Sequence, residues 1–174
     1  MAWPRTPVYG PPALAVGTVL IVKAPETAAT MPQPSVSDSY NAGARISVDS
    51  PVPGFTVDAD YFYNRGGYAG GGSLNSQSVM GDLIYHTPPT FPVRLYGGAG
   101  IGLVNDSLGG ALTGSSTVLG WQGIGGVEFP LDNGTGTAIF AEYRYQNAHN
   151  ANAGTIAGIG NTSNNLSVGV KVPL

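Results

Sequence analysis

Paired carboxylates are the first candidates for chemistry in this chain. Asp58 and Asp60 lie two residues apart, and Glu128 and Glu142 fall in two segments that follow one another. Carboxylate pairs divide acid and base work when their surroundings separate their pKa values. Here a cation stands near each of them and no cleft is implied, so a structural role is expected. The two histidines, His86 at a turn and His149 in a flexible loop, have no second histidine at ligand spacing. Without cysteine there is neither a thiolate site nor a disulfide framework. The run from Gly97 to Gly102 superficially resembles a nucleotide-binding glycine loop. It lacks the helix and the acidic partner that such a loop needs, and reads instead as strand glycines allowing close packing. Asn-X-Ser/Thr triplets at Asn105, Asn133, Asn161 and Asn165 are what Asn/Ser-rich loops produce by chance. No enzyme, cofactor or metal site is expected.

The bulk composition narrows the class. Charged residues make up only 10% of 174 residues, against about 25% in soluble domains. Glycine is high at 27, and the net charge of −3 gives no electrostatic case for nucleic acid. No apolar run is long enough for a transmembrane helix. Arg5 and the apolar stretch to Val22 loosely resemble a secretory signal. Pro4, Pro7, Pro11 and Pro12 crowd the place where such a signal is helical, so the segment reads as part of the folded chain. The length suits one domain over 1–174 with an irregular lead-in at 1–12.

Glycine and proline interrupt every window that could hold a helix, and apolar residues alternate with polar or small ones instead. This period-two pattern predicts eight strands, at 13–23, 40–49, 55–64, 78–87, 93–104, 117–129, 137–147 and 165–173. Tight turns are expected at 50–54, 87–92 and 130–136, where proline, asparagine and glycine gather. Longer loops are expected at about 25–38, 65–77, 105–116 and 148–164. Regular short/long alternation fits an up-and-down antiparallel barrel of the transmembrane type.

The two faces of these strands differ in charge. Lys23, Arg45, Asp49, Asp58, Asp60, Asp82, Arg94, Glu128, Glu142, Arg144 and Lys171 all fall on the polar face. No charge falls on the other. Near-matched signs on one face suit a narrow interior, where an unpaired charge is very costly. Expected pairs are Arg45 with Asp58 or Asp60, Asp82 with Arg94, and Glu128 with Arg144, with Lys23 and Lys171 on the strands that close the barrel. The opposite face is an apolar band that suits lipid or another protein. Tyr40, Tyr61, Tyr63, Tyr85, Trp121, Phe129, Tyr143 and Tyr145 point outward near strand ends, where an aromatic girdle belongs.

The segments VRLYGGAGIGLV, GWQGIGGVEFPL, TAIFAEYRYQN and NLSVGVKVPL carry a resemblance. GGVEFPL followed by a short turn and AEYRYQ is its most specific part, and VMGDLIYHTP also looks like a strand of the same kind. Together they resemble the small bacterial outer-membrane barrels of the outer-membrane-protein-A and opacity-protein type. The resemblance implies a porin-like all-β fold, an outer-membrane or cell-surface location, and inward-facing Glu128 and Glu142. It also implies an aromatic residue near the C-terminus, where this chain has Val172, Pro173 and Leu174. The expected function is a non-enzymatic structural or surface protein in the lipid bilayer, with a closed, salt-bridged interior. The alternative is an extracellular tube, sheath or lattice in which apolar exteriors of several copies pack together. Outward Gly97, Ala99, Gly123 and Gly125 offer a smooth strip for such contact. A soluble ligand-binding barrel fits less well, because its interior should be apolar. A conducting pore also fits less well, because eight strands leave room only for side chains.

Overall fold

The computed structural model describes residues 13–19, 36–68, 72–88, 92–109, 114–131, 136–153 and 156–173. They form β1 (Ala13–Val19), β2 (Val36–Asp49), β3 (Phe55–Tyr68), β4 (Gly72–His86), β5 (Arg94–Gly109), β6 (Gly114–Pro130), β7 (Ala138–Ala153) and β8 (Ile156–Pro173). Each strand pairs antiparallel with the next, and β1 pairs with β8 to close an eight-stranded barrel. Residues 1–12, the end of the first predicted strand at 20–23 with Lys23, and residues 25–35 of the predicted loop 25–38 lie outside the described residues.

The turn between β2 and β3 shows how the sequence reverses the chain. Pro51 and Pro53 cannot donate to a ladder, and Gly54 adopts φ +85°, which glycine takes without strain. Ser50 N donates to Phe55 O at 2.9 Å, and His86 N donates to Gly54 O at 2.7 Å, tying the turn to β4.

At the other end the strands run further than hydrophobic alternation predicts. The predicted loops at 65–77, 105–116 and 148–164 are largely paired strand. Arg65 faces Asn75, Asn105 faces Thr117, and Ala148 faces Asn161. Residues 36–38, placed in a loop from the sequence, open β2. The reason is physical. Above the apolar band a strand meets water on its outer face, so alternation fades while the backbone ladder continues. Side chains then bridge the strands: Asn105 Nδ2 donates to Thr117 Oγ1 at 2.7 Å and Asn147 Nδ2 to Thr162 Oγ1 at 3.0 Å. The contrast of short turns and long loops is therefore largely a contrast between apolar and polar stretches of strand.

Below this collar the exterior is apolar. On β5 the outward residues from Leu95 to Leu103 include no polar side chain. They cover about 27 Å of strand, or about 21 Å of height at a tilt near 40°, close to the ~25 Å apolar band of a membrane barrel.

Candidate functional site

The interior is built by alternate positions along the strands, β2 to β8 among the described side chains. Along β4 these run Ile84, Asp82, Met80, and each faces a β5 glycine: Gly98, Gly100 and Gly102. Ile84 packs with Tyr96, Ile124 and Phe140, and Met80 packs with Val104 and Ala148. The charged layer is thus bracketed by apolar clusters. The charge network expected from the sequence shares the interior with apolar side chains. The inward positions between the charges carry Phe62, Met80, Ile84 and Ile124, which fill space that ion pairs leave open.

Arg45 stands at the centre of the charged layer. Its Nη1 and Nη2 donate to the two oxygens of Glu142 at 2.7 and 3.0 Å, reaching from β2 across to β7. The same guanidinium lies 3.3 Å from Asp60 Oδ2 and 3.6 Å from Asp58 Oδ2. Arg144 Nη2 joins the group, 2.6 Å from Asp60 and 2.8 Å from Glu142. Its guanidinium also sits 4.5 Å over the Phe62 ring, a cation–π contact. Tyr96 OH donates to Glu142 Oε2 at 3.0 Å. Charges this deep are tolerable only when paired and hydrogen-bonded.

Glu128 gathers a second group toward the turn end. Lys171 Nζ donates to it at 3.0 Å, while Arg94 Nη1 and His86 Nδ1 lie at 3.9 and 3.8 Å. His86 ends β4 at the turn, and its ring turns inward: it stacks on Tyr96 at 5.5 Å, and Nε2 is 3.3 Å from Thr56 Oγ1. A cavity of about 10 Å³ lies among Arg45, Asp58, His86, Glu128 and Lys171, room for a single water.

Two expected pairs do not form. Asp82 faces Gly100, and its partner is Gln122, whose Nε2 donates to Asp82 Oδ1 at 2.6 Å. Arg94 faces Glu128 on β6 instead. Glu128 faces Phe140, while Arg144 faces Ile124, so this second pair is also separated. Face parity was readable in the sequence, but the stagger between neighbouring strands was not. Tyr96, Gln122 and His86 were missed as members of the interior. Each shares parity with a charged residue on its own strand, and that signal was available.

The outward aromatics sit at two levels. Tyr85 and Phe129 lie near the turn end, where Phe55 packs on Tyr85 at 5.1 Å. Tyr61, Tyr63, Trp121, Tyr143 and Tyr145 lie further along their strands from the turns, with Trp121 facing Ile101 in the register and in ring contact with Tyr145 at 5.4 Å. Tyr61 donates to Gln77 and Tyr143 to Asn164, which joins this level to the collar. Tyr40 is on β2, and its side chain is outside the described residues. Among the described residues no three His, Cys, Asp or Glu side chains gather as a metal site requires.

A closed antiparallel barrel with a charged, filled interior and an apolar outer band is a transmembrane β-barrel. The model of the outer membrane protein beta-barrel domain family matches residues 24–172, and the chain belongs to that family. Its place is the bacterial outer membrane. Among solved structures the chain is similar to Neisserial surface protein A, with 20% identity over 94% of this chain and 95% of that one, at a TM-score of 0.66. It is also similar to the N-terminal β-barrel domain of Pseudomonas aeruginosa OprF, with 14% identity over 95% and 98%, at a TM-score of 0.55. At these identities the likeness speaks for the fold. No curated protein matches the chain.

Proposed function

We propose that this protein is a non-enzymatic structural or surface barrel of the outer membrane whose lumen is closed by ion pairs. The observation that carries the reading is the two-pronged bond from Arg45 to Glu142, which ties β2 to β7 across the interior. Arg45 and Arg144 engage the central carboxylates, which therefore serve as partners for cations and not as free acids or bases. The apolar clusters around Ile84 and Met80 occupy the remaining width. Recording from the protein in planar lipid bilayers at neutral pH tests the closure. Wild-type protein is expected to give no conductance steps; steady openings of uniform size would overturn the closed reading.

A further inference from the structure

Asp82 is the odd member of the charged layer. The layer holds four buried carboxyl groups, Asp58, Asp60, Asp82 and Glu142, against two guanidinium groups, Arg45 and Arg144. Asp58, Asp60 and Glu142 engage those two cations. Asp82 is only 3% exposed, yet among the described residues it pairs with no cation. The strands around it supply none. β3 places Asp58 opposite it and Asp60 on the diagonal, β5 places Gly100, and β6 brings only the Gln122 amide. Nearer the turns, Lys171, Arg94 and His86 are gathered around Glu128.

The second oxygen of each partner gives the sharper sign. Gln122 Nε2 donates to Asp82 Oδ1 at 2.6 Å, but Asp82 Oδ2 and Gln122 Oε1 are both buried without a partner. Gln122 is fully buried, so bulk water does not reach it. Both orphan atoms are acceptors, and buried polar atoms are nearly always hydrogen-bonded. A carboxyl group becomes a donor when it is protonated.

We propose that Asp82 is a proton-binding site: Oδ2 takes up a proton while the other interior carboxylates stay ionised, and donates it to Gln122 Oε1. Acid and amide then hold each other by two hydrogen bonds, one in each direction. A single proton satisfies both orphan atoms and removes one negative charge from a layer with too few cations. Asp58 Oδ1 is also without a partner, but Asp58 does not call for a proton. Arg45 lies 3.6 Å from its other oxygen, and Asp58 lines the small cavity that has room for a water. The site makes the closed interior sensitive to pH. When the proton leaves, Oδ2 and Oε1 are again two acceptors without a donor, beside Asp58 and Asp60, and the tie from β4 to β6 weakens. Below that release the folded chain holds a proton that the unfolded chain gives up to water. Stability from this site is therefore lost as pH rises.

The test is infrared difference spectroscopy of the folded full chain in vesicles, between mildly alkaline and mildly acidic pH. Wild-type protein is expected to gain the carbonyl stretch of one protonated carboxyl group per chain, and Asp82→Asn to lack it. The asparagine Nδ2 donates to Gln122 Oε1 in place of the proton, so this variant should be at least as stable as wild type at mildly alkaline pH. Urea unfolding compares the two proteins, and His86 and His149 cancel because both chains carry them. The ratio of their unfolding constants should change by up to about tenfold per pH unit, with wild type gaining stability as pH falls. A wild-type spectrum without the band, a band that persists in Asp82→Asn, or a ratio that does not move with pH would each overturn the proton site. Should Asp82→Asn not fold, Gln122→Met decides. It removes the acceptor, so the band should persist at higher frequency, and an unmoved band would overturn the pairing.

Discussion

Gly100 shows how a missing side chain can hold a charge in place. It lies between Asp82 and Gln122 in the register of three strands, and a Cβ there would collide with the Asp82 carboxylate. The gap lets Gln122 on β6 reach Asp82 on β4 directly. Asp82 therefore depends on an amide two strands away and not on Arg94. Gln122→Leu removes the donor and leaves a buried carboxylate short of a partner, which should cost about 1–3 kcal/mol or more. Arg94→Leu should change stability by no more than about 1 kcal/mol, because its side chain is 35% exposed and its ion pair with Glu128 is long. Urea unfolding of the two variants in vesicles measures both. Equal losses would mean that Arg94 contributes to the interior as Gln122 does. The sequence showed that Asp82 faces inward, because parity is a property of one strand. It did not show the partner, because pairing depends on how two strands are staggered.

At the scale of the strand, the apolar band and the polar collar are two environments along one continuous element. β5 passes from Leu95, Ile101 and Leu103 outward-facing to Asn105 and Ser107 without a break in its ladder with β6. Hydrophobic alternation therefore marked the part of each strand in lipid and missed the part in water. The turn end was read more closely, since Pro51, Pro53 and Gly54 stop a strand whatever surrounds it. The boundary between the environments can be located by substitution. Ile101→Arg should cost about 2–4 kcal/mol, and Asn105→Arg about 0–1 kcal/mol, as expected for lipid midplane and interface. The same unfolding titration in vesicles gives both values. A similar cost at the two sites would place Asn105 inside the hydrocarbon and remove the collar.

For the molecule as a whole, the distribution of charge decides what solvent it accepts. Only 10% of its residues are charged, and Arg45, Asp58, Asp60, Asp82, Glu128, Glu142 and Arg144 are buried in the interior. Few charges remain to solvate the exterior. That exterior exposes Val79, Leu83, Leu95, Ile101, Leu103 and Leu119 over several adjoining strands, far more than a soluble monomer leaves open to water. Closure of β1 on β8 removes the free edges that would otherwise pair with other chains. Association without lipid must then proceed through the apolar band and not through strand addition. Sizing the native protein with and without mild detergent separates the two ways of covering that band. A single small species that exists only in detergent is expected, because lipid or detergent is then what meets the outer wall. Large, regular particles that persist without detergent would mean that other copies cover it. The strip in which Gly97 faces Gly125 and Ala99 faces Gly123 would then be the first place to look for the contact.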